Sequence, residues 1–124
     1  MQFKALLLFS LTAMTATAAT VPVSARQAGA DFGDCTPTID FQLGRAGRKA
    51  TEGTFLPTDA LVAKGQQDAL NPNIITNRVC DQLTNVCGAN DAAVSLCEDA
   101  QAKVAALGTK DASTAAAFNA ALGF

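Results

Sequence analysis

The chain has 124 residues, the length of one domain, and 9 basic and 11 acidic side chains give it a formal charge of −2. It contains no His, Trp or Tyr, which excludes a Ser-His-Asp triad, a Cys-His pair, the His-Asp dyad of secreted phospholipases and a histidine zinc site, and disfavours stacking platforms for sugars or bases. Because the few basic residues are scattered, we expect no nucleic-acid partner, and we expect no cofactor.

The N-terminus has the pattern of a secretory signal peptide. One basic residue precedes an apolar run that ends at Met14, and small residues follow at positions 16–18. We predict cleavage after Ala18, or alternatively after Ala19, and therefore a secreted, extracellular protein. The apolar run is too short for a permanent membrane span. Removal of residues 1–18 takes away one basic residue and no acid, so the formal charge falls from −2 to −3.

A leader and a hairpin are predicted next. Residues 19–34 are small and polar, with neither a helical nor a strand period, which is typical of a flexible leader or pro-segment. A single domain is predicted over residues 35–124. It opens with a strand in residues 36–44, where apolar and polar residues alternate, and a second strand around residues 50–56. Residues 44–49 between them are typical of a hairpin loop.

Helices are predicted after the hairpin from apolar spacing, cap residues and glycine stops. The first is capped by Thr58 or Asp59 and extends towards Leu70, and Gly65 weakens its middle by about 1 kcal/mol relative to alanine. The others run from Pro72, capped by Asn71, to Gly88, from the cap Asn90 to Gly108, and from Asp111 or Ser113 to Gly123, where Phe124 can complete a glycine cap. The predicted fold is mainly α with a small β-hairpin: a disulfide-stapled bundle of three to four helices.

Four cysteines in a short exported chain indicate two disulfides, for which three pairings are possible. Cys80 and Cys87 are separated by about 10 Å along one predicted helix, too far to bond each other. If residues 88–90 form the turn of an antiparallel helix pair, Cys80 and Cys97 lie at matching depth on its two sides. This favours Cys80–Cys97 with Cys35–Cys87, and leaves Cys87–Cys97 with Cys35–Cys80 as the alternative.

The hairpin loop holds one cluster of like charge, formed by Arg45, Arg48 and Lys49. These side chains could contact an anionic polymer or a lipid head group, although a solvated turn is the simpler interpretation. Arg48-Lys49 is also a dibasic pair of the kind that processing proteases cut, and Arg26 could end a pro-segment.

The predicted helix after Asn71 carries a dense run of polar residues. It could be a recognition face, and the competing interpretation is capping together with ordinary solvent exposure. The members of this polar run are Asn71, Asn73, Thr76, Asn77, Arg78, Asp81, Gln82, Thr84 and Asn85.

Acidic residues leave one catalytic hypothesis, a hydrolase that uses carboxylates alone, such as Asp81 with Glu98 or Asp99. Glu98 and Asp99 are adjacent and point about 100° apart on a helix, so they do not face each other as acid and base. We therefore predict no catalytic and no metal-binding residues.

Several motifs together carry a resemblance to a protein group. A signal peptide and polar leader precede CTPT at residues 35–38, GRAGRKATE at residues 44–52 and NPNIITNRVCDQLTNVC at residues 71–87, and the sequence closes with ALGF. With these motifs, residues 35–124 resemble small secreted cysteine-containing proteins of filamentous ascomycete fungi. Members are regarded as candidate effectors or cell-surface proteins without an established activity, so the resemblance implies a setting and no catalytic residues. The chain does not resemble three better understood fungal groups. Hydrophobins and eight-cysteine extracellular membrane modules have twice as many cysteines as this chain, and cerato-platanins have an all-β fold.

These features predict a secreted, non-enzymatic, monomeric protein that binds a host molecule or a cell-wall component. The alternative is a carrier that encloses a small apolar ligand, such as a lipid or sterol, within the helical bundle. Alanine-rich helix faces more often indicate close helix packing, which favours the first hypothesis.

Overall fold

The computed structural model describes residues 29–124; the predicted signal peptide and residues 19–28 of the predicted leader lie outside this range. The elements in chain order are strands β1 (Ile39–Leu43) and β2 (Gly53–Pro57), then helices α1 (Ala60–Ala63), α2 (Pro72–Asn85), α3 (Asp91–Leu107) and α4 (Ala112–Ala121). The predicted fold class, a disulfide-stapled helical bundle with a small hairpin, is confirmed.

β1 and β2 pair antiparallel over their five residues each. A two-stranded sheet is only marginally stable by itself, and both of its edges are attached to the rest of the domain. The side-chain amide of Asn119 in α4 accepts from the Ile39 N–H and donates to the Ile39 carbonyl, both at 2.9 Å. On the other edge, Phe55 and Ala69 exchange backbone hydrogen bonds of 2.8 and 3.0 Å.

The strands are shorter than the predicted residues 36–44 and 50–56. The Thr36 N–H donates to the Asp59 carboxylate at 2.7 Å, so the chain at Thr36 follows the start of α1 before it enters β1. The Glu52 N–H donates to the Lys49 carbonyl at 2.9 Å and forms a turn before β2.

α1 is also shorter than predicted, because it ends at Ala63 and does not extend towards Leu70. Asp59 caps it by accepting the Leu61 N–H at 2.9 Å. Gly65 then adopts φ of +79°, a left-handed conformation that glycine adopts readily. The residue expected to weaken this helix therefore lies just beyond its end.

The later helices follow their local signals. α2 starts at the N-cap Asn71, as predicted, and ends at Asn85 instead of Gly88. α3 has the predicted cap Asn90, and it stops at Gly108, which has φ of +68°.

α4 begins with a capping box, and it ends in a Schellman motif. The Phe124 N–H bonds to the Asn119 carbonyl and the Gly123 N–H to the Ala120 carbonyl, both at 3.0 Å. The Phe124 ring packs against Phe32, with 5.7 Å between ring centroids. This contact joins the end of α4 to the segment before β1.

All four cysteines are paired, as Cys35–Cys87 and Cys80–Cys97, with Cα–Cα distances of 5.4 and 5.6 Å. This is the pairing that the sequence favours. Cys80–Cys97 joins α2 to α3, and Cys35–Cys87 joins the segment before β1 to the end of α2. One core gathers buried side chains from all the elements, including Ile39, Phe55, Val62, Ile75, Val79, Leu83, Val104, Phe118 and Leu122.

Residues 29–34, which the sequence assigns to the leader, pack on the turn between α2 and α3. The Asn90 side chain accepts the Asp31 N–H at 3.0 Å and donates to the Gly29 carbonyl at 2.7 Å. The structure thus differs from the predicted start of order near Cys35. Residues 29–34 are held by contacts with a residue about 60 positions away and not by a helix or a strand of their own. Such contacts produce no apolar periodicity, so the sequence of the segment does not indicate that it is ordered.

Candidate interaction surfaces

The arginines of the hairpin loop are engaged within the domain. Arg45 forms an ion pair with Asp40. Arg48 donates from Nε to the Asp68 carboxylate at 3.0 Å and from a terminal nitrogen to the Asp68 carbonyl at 3.1 Å. Lys49 is exposed. The structure therefore places the three predicted contact residues in one loop, but it directs two of their charges onto the protein's own acids, which weakens the hypothesis of an anionic ligand.

Asp68 holds this loop through Arg48, although nothing in the sequence distinguishes Asp68 from other polar residues. The pKa of Asp68 lies below its ordinary value, chiefly because its carboxylate interacts with the buried Thr54 hydroxyl. Burial opposes this effect, and the Arg48 guanidinium lowers the pKa further. Asp68 lies in the irregular segment between α1 and α2, where no periodicity distinguishes one polar residue from another.

The exposed side chains of α2 lie on one face, which we name the α2 outer face. Its members are Asn73, Ile74, Asn77, Asp81, Thr84 and Asn85. At about 100° per residue these positions cover an arc of about 120°. Ile74 is 50% exposed within this polar arc, and Asn77 donates to Asp81 at 3.3 Å. The face therefore combines amide, hydroxyl and carboxylate groups with one aliphatic side chain in the first turn of α2.

The other members of the predicted polar run have structural roles. Asn71 accepts a backbone N–H in the first turn of α2 at 2.9 Å, and Thr76 and Gln82 are buried. Arg78 donates to two carbonyls at the end of α1, at 3.2 and 2.6 Å. The run therefore contains one cap, two buried residues and an arginine bound to the protein itself, and the recognition-face hypothesis is left with the exposed members alone.

The predicted polar run does not include Ile74, although the sequence contains a signal that its side chain is exposed. The apolar stripe that predicts α2 passes through Ile75, Val79 and Leu83, which are fully buried. Ile74 falls outside that spacing, and an apolar residue outside the buried stripe of an amphipathic helix is expected to face solvent.

The three acids of the hydrolase hypothesis, Asp81, Glu98 and Asp99, are all exposed. Residues 29–124 form no pocket and, within the same range, no group of three or more His, Cys, Asp or Glu side chains that could hold a metal ion. The structure therefore does not bring these acids into an enclosed site.

The interior of the described domain is filled by its own side chains. Phe118, Leu83 and Leu122 are fully buried between the helices. The part of the chain that the structure describes has no pocket that could enclose a lipid or sterol.

Comparisons with known proteins give no relative. A scan against protein-family models and searches of curated proteins and of solved structures found no match to this chain. Among residues 29–124, none of the helices has the length and apolar character needed to cross a membrane.

Proposed function

We propose that the protein is a secreted, non-enzymatic binding protein that acts outside the cell on a host molecule or a component of the fungal cell wall. The signal-peptide pattern and the two disulfides support export to an oxidising compartment. The resemblance to small secreted proteins of ascomycete fungi supports the biological setting, and the charge pattern supports a protein or neutral polymer as partner.

The α2 outer face is the observation that carries this proposal. Binding surfaces concentrate their energy in a few apolar or aromatic anchors, and a polar rim excludes water around them. Ile74 is half exposed and is the one apolar member of the α2 outer face, whose other members are polar.

The opposite side of α2 is fixed to the rest of the domain. It contributes Ile75, Val79 and Leu83 to the core. Cys80 in α2 is bonded to α3, and Cys87 just after α2 is bonded to the segment before β1. A rigid scaffold lowers the ordering cost of association. These contacts therefore favour α2 as the binding element over the short irregular segments.

The test compares two aspartate substitutions in the oxidised mature protein. Ile74→Asp places a charge on the α2 outer face, and Leu107→Asp is a matched control at the last residue of α3, where the leucine is 56% exposed. Immobilised proteins are exposed to plant or insect apoplastic fluid and to fungal wall extract, and the captured molecules are quantified by mass spectrometry.

We expect Ile74→Asp to lower specific capture at least about tenfold, the effect of losing one interface anchor, and Leu107→Asp to leave capture unchanged. Equal capture by the wild type and Ile74→Asp would contradict the assignment of this face. Native mass spectrometry of the purified protein tests the carrier alternative, because a co-purified lipid or sterol would favour it. Loss of a measured turnover after substitution of Asp81 and Glu98 would favour the hydrolase.

A further inference from the structure

Arg48 and Lys49 are the one pair of adjacent basic residues in the sequence, and the structure places them in the loop between β1 and β2. Lys49, Ala50 and Thr51 are exposed. Exposed loop tips with small and polar residues are the preferred sites of proteolytic nicking. We propose that the Lys49–Ala50 bond is a processing site for an endoprotease that recognises paired basic residues, and that the product is a two-chain protein.

The folded loop keeps this bond protected. The Lys49 carbonyl, which a protease would attack, accepts the Glu52 N–H at 2.9 Å, and the Arg48 N–H donates to the Arg45 carbonyl at 2.8 Å. The Arg48 guanidinium is held by Asp68. Proteases bind their substrates as extended strands with accessible side chains, so cleavage requires a conformation in which the turn is open and Arg48 has left Asp68.

Opening this turn is a local event. It breaks the hydrogen bonds within residues 44–52 and those between Arg48 and Asp68, and it leaves the pairing of β1 with β2 intact. When opening and closing are faster than cleavage, the cleavage rate follows the population of the open form. The contact of Arg48 with Asp68 therefore sets how readily the bond is cut.

The two products remain together after cleavage. Hydrolysis consumes one water and leaves a carboxylate on Lys49 and an amino group on Ala50. Cys35 in the first chain stays bonded to Cys87 in the second. Ile39 is 1% exposed in the shared core, and its backbone is held by Asn119 of the second chain.

The experiment treats the oxidised mature protein with a purified endoprotease that cuts after paired basic residues and accepts lysine immediately before the cut, and it follows the reaction by gel electrophoresis, intact mass and N-terminal sequencing. We expect one species without reducing agent, heavier by one water, and two chains after reduction, the second beginning at Ala50. Lys49→Gln should abolish this cut. Lys64→Gln, at an exposed lysine after α1, should leave it unchanged.

Two variants test the role of the Arg48 contact with Asp68. Asp68→Asn should accelerate cleavage about fivefold, the factor that corresponds to about 1 kcal/mol at 25 °C. Arg48→Lys keeps a dibasic pair but loses the two-point contact, so it should also accelerate cleavage, and circular dichroism shows whether each variant is folded. The proposal is overturned if the enzyme cuts the reduced and alkylated chain after Lys49 but leaves this bond intact in the folded wild type. Separation of the two chains without a reducing agent would also overturn it.

Discussion

Asn90 joins three parts of the domain, and its replacement by alanine tests how the segment before β1 is held. Its Oδ1 accepts the Ala93 N–H, as the N-cap of α3, and the Asp31 N–H, both at 3.0 Å. Its Nδ2 donates to the Gly29 carbonyl at 2.7 Å. Asn90→Ala removes all three hydrogen bonds and leaves the backbone bond from the Asn90 N–H to the Asp31 carbonyl.

The expected loss of stability follows from these contacts. Replacing an N-cap asparagine by alanine costs about 1 kcal/mol. The two hydrogen bonds to residues 29–31 are exposed, so each contributes about 0.5 kcal/mol, at the lower end of the usual range. Asn90→Ala should therefore lower the free energy of unfolding by about 2 kcal/mol.

Asn90→Asp is the matched control. Aspartate caps a helix as well as asparagine does and can still accept the Asp31 N–H, but it cannot donate to the Gly29 carbonyl. We expect it to cost about 0.5 to 1 kcal/mol. Guanidinium unfolding followed by far-UV circular dichroism measures both variants, since a protein without Trp and Tyr gives a poor fluorescence signal. Equal stabilities of the alanine and aspartate variants would refute this account of Asn90.

Three further predictions concern stability. Gly33→Ala should lower the free energy of unfolding by at least about 1 kcal/mol, because Gly33 has φ of +67° and a Cβ there would lie 1.9 Å from the Cys87 carbonyl oxygen. Gly29→Ala should cost less, because Gly29 has φ of +80° but open space around it. The reverse order of stabilities in chemical unfolding would contradict this prediction. Replacing a disulfide by two alanines should lower the free energy of unfolding by about 4 kcal/mol for Cys35–Cys87 and about 3 kcal/mol for Cys80–Cys97. The first value is larger because a disulfide that closes a longer loop restricts the unfolded chain more, and the separations are 52 and 17 residues. Equal losses would contradict this argument. The lowered pKa of Asp68 means that its stabilisation is complete above the unfolded-state pKa of about 3.9 and is lost as the pH falls through the lower folded-state pKa. Asp68→Asn should therefore flatten the acid side of a plot of unfolding free energy against pH, and parallel curves would argue against this role.

The features predicted best from the sequence are helix starts and ends, which are determined by residues within one helical turn of each other. Asn71 followed by proline begins α2, Asn90 caps α3, and Gly108 ends it. The favoured disulfide pairing depends on the same short-range information, because the position of the turn between α2 and α3 places Cys80 opposite Cys97. Cap chemistry and helical spacing are local, so a single sequence contains them.

The features that the sequence missed depend on contacts between distant residues. Arg48 meets Asp68 20 positions later, and Ile39 meets Asn119 80 positions later. The sequence could place Arg48 in a hairpin loop, but it could not show that an acid beyond α1 would bind its guanidinium. For the candidate surfaces, this is the difference between locating a charged residue and knowing whether its charge is available to a partner.

The two surfaces therefore differ in how binding and stability are connected. On the α2 outer face, the side-chain bonds are short-range ones within the helix, such as those from Asn77 to Asp81 and from Asn85 to Gln82, both at 3.3 Å. Substitutions there can change recognition with little effect on the fold. In the hairpin loop, Arg48 stabilises the connection between the strands, so a change that frees its charge for a partner also opens the loop. Measuring stability and capture on the same variants separates these cases, because a binding loss without a stability loss is expected only for the α2 outer face.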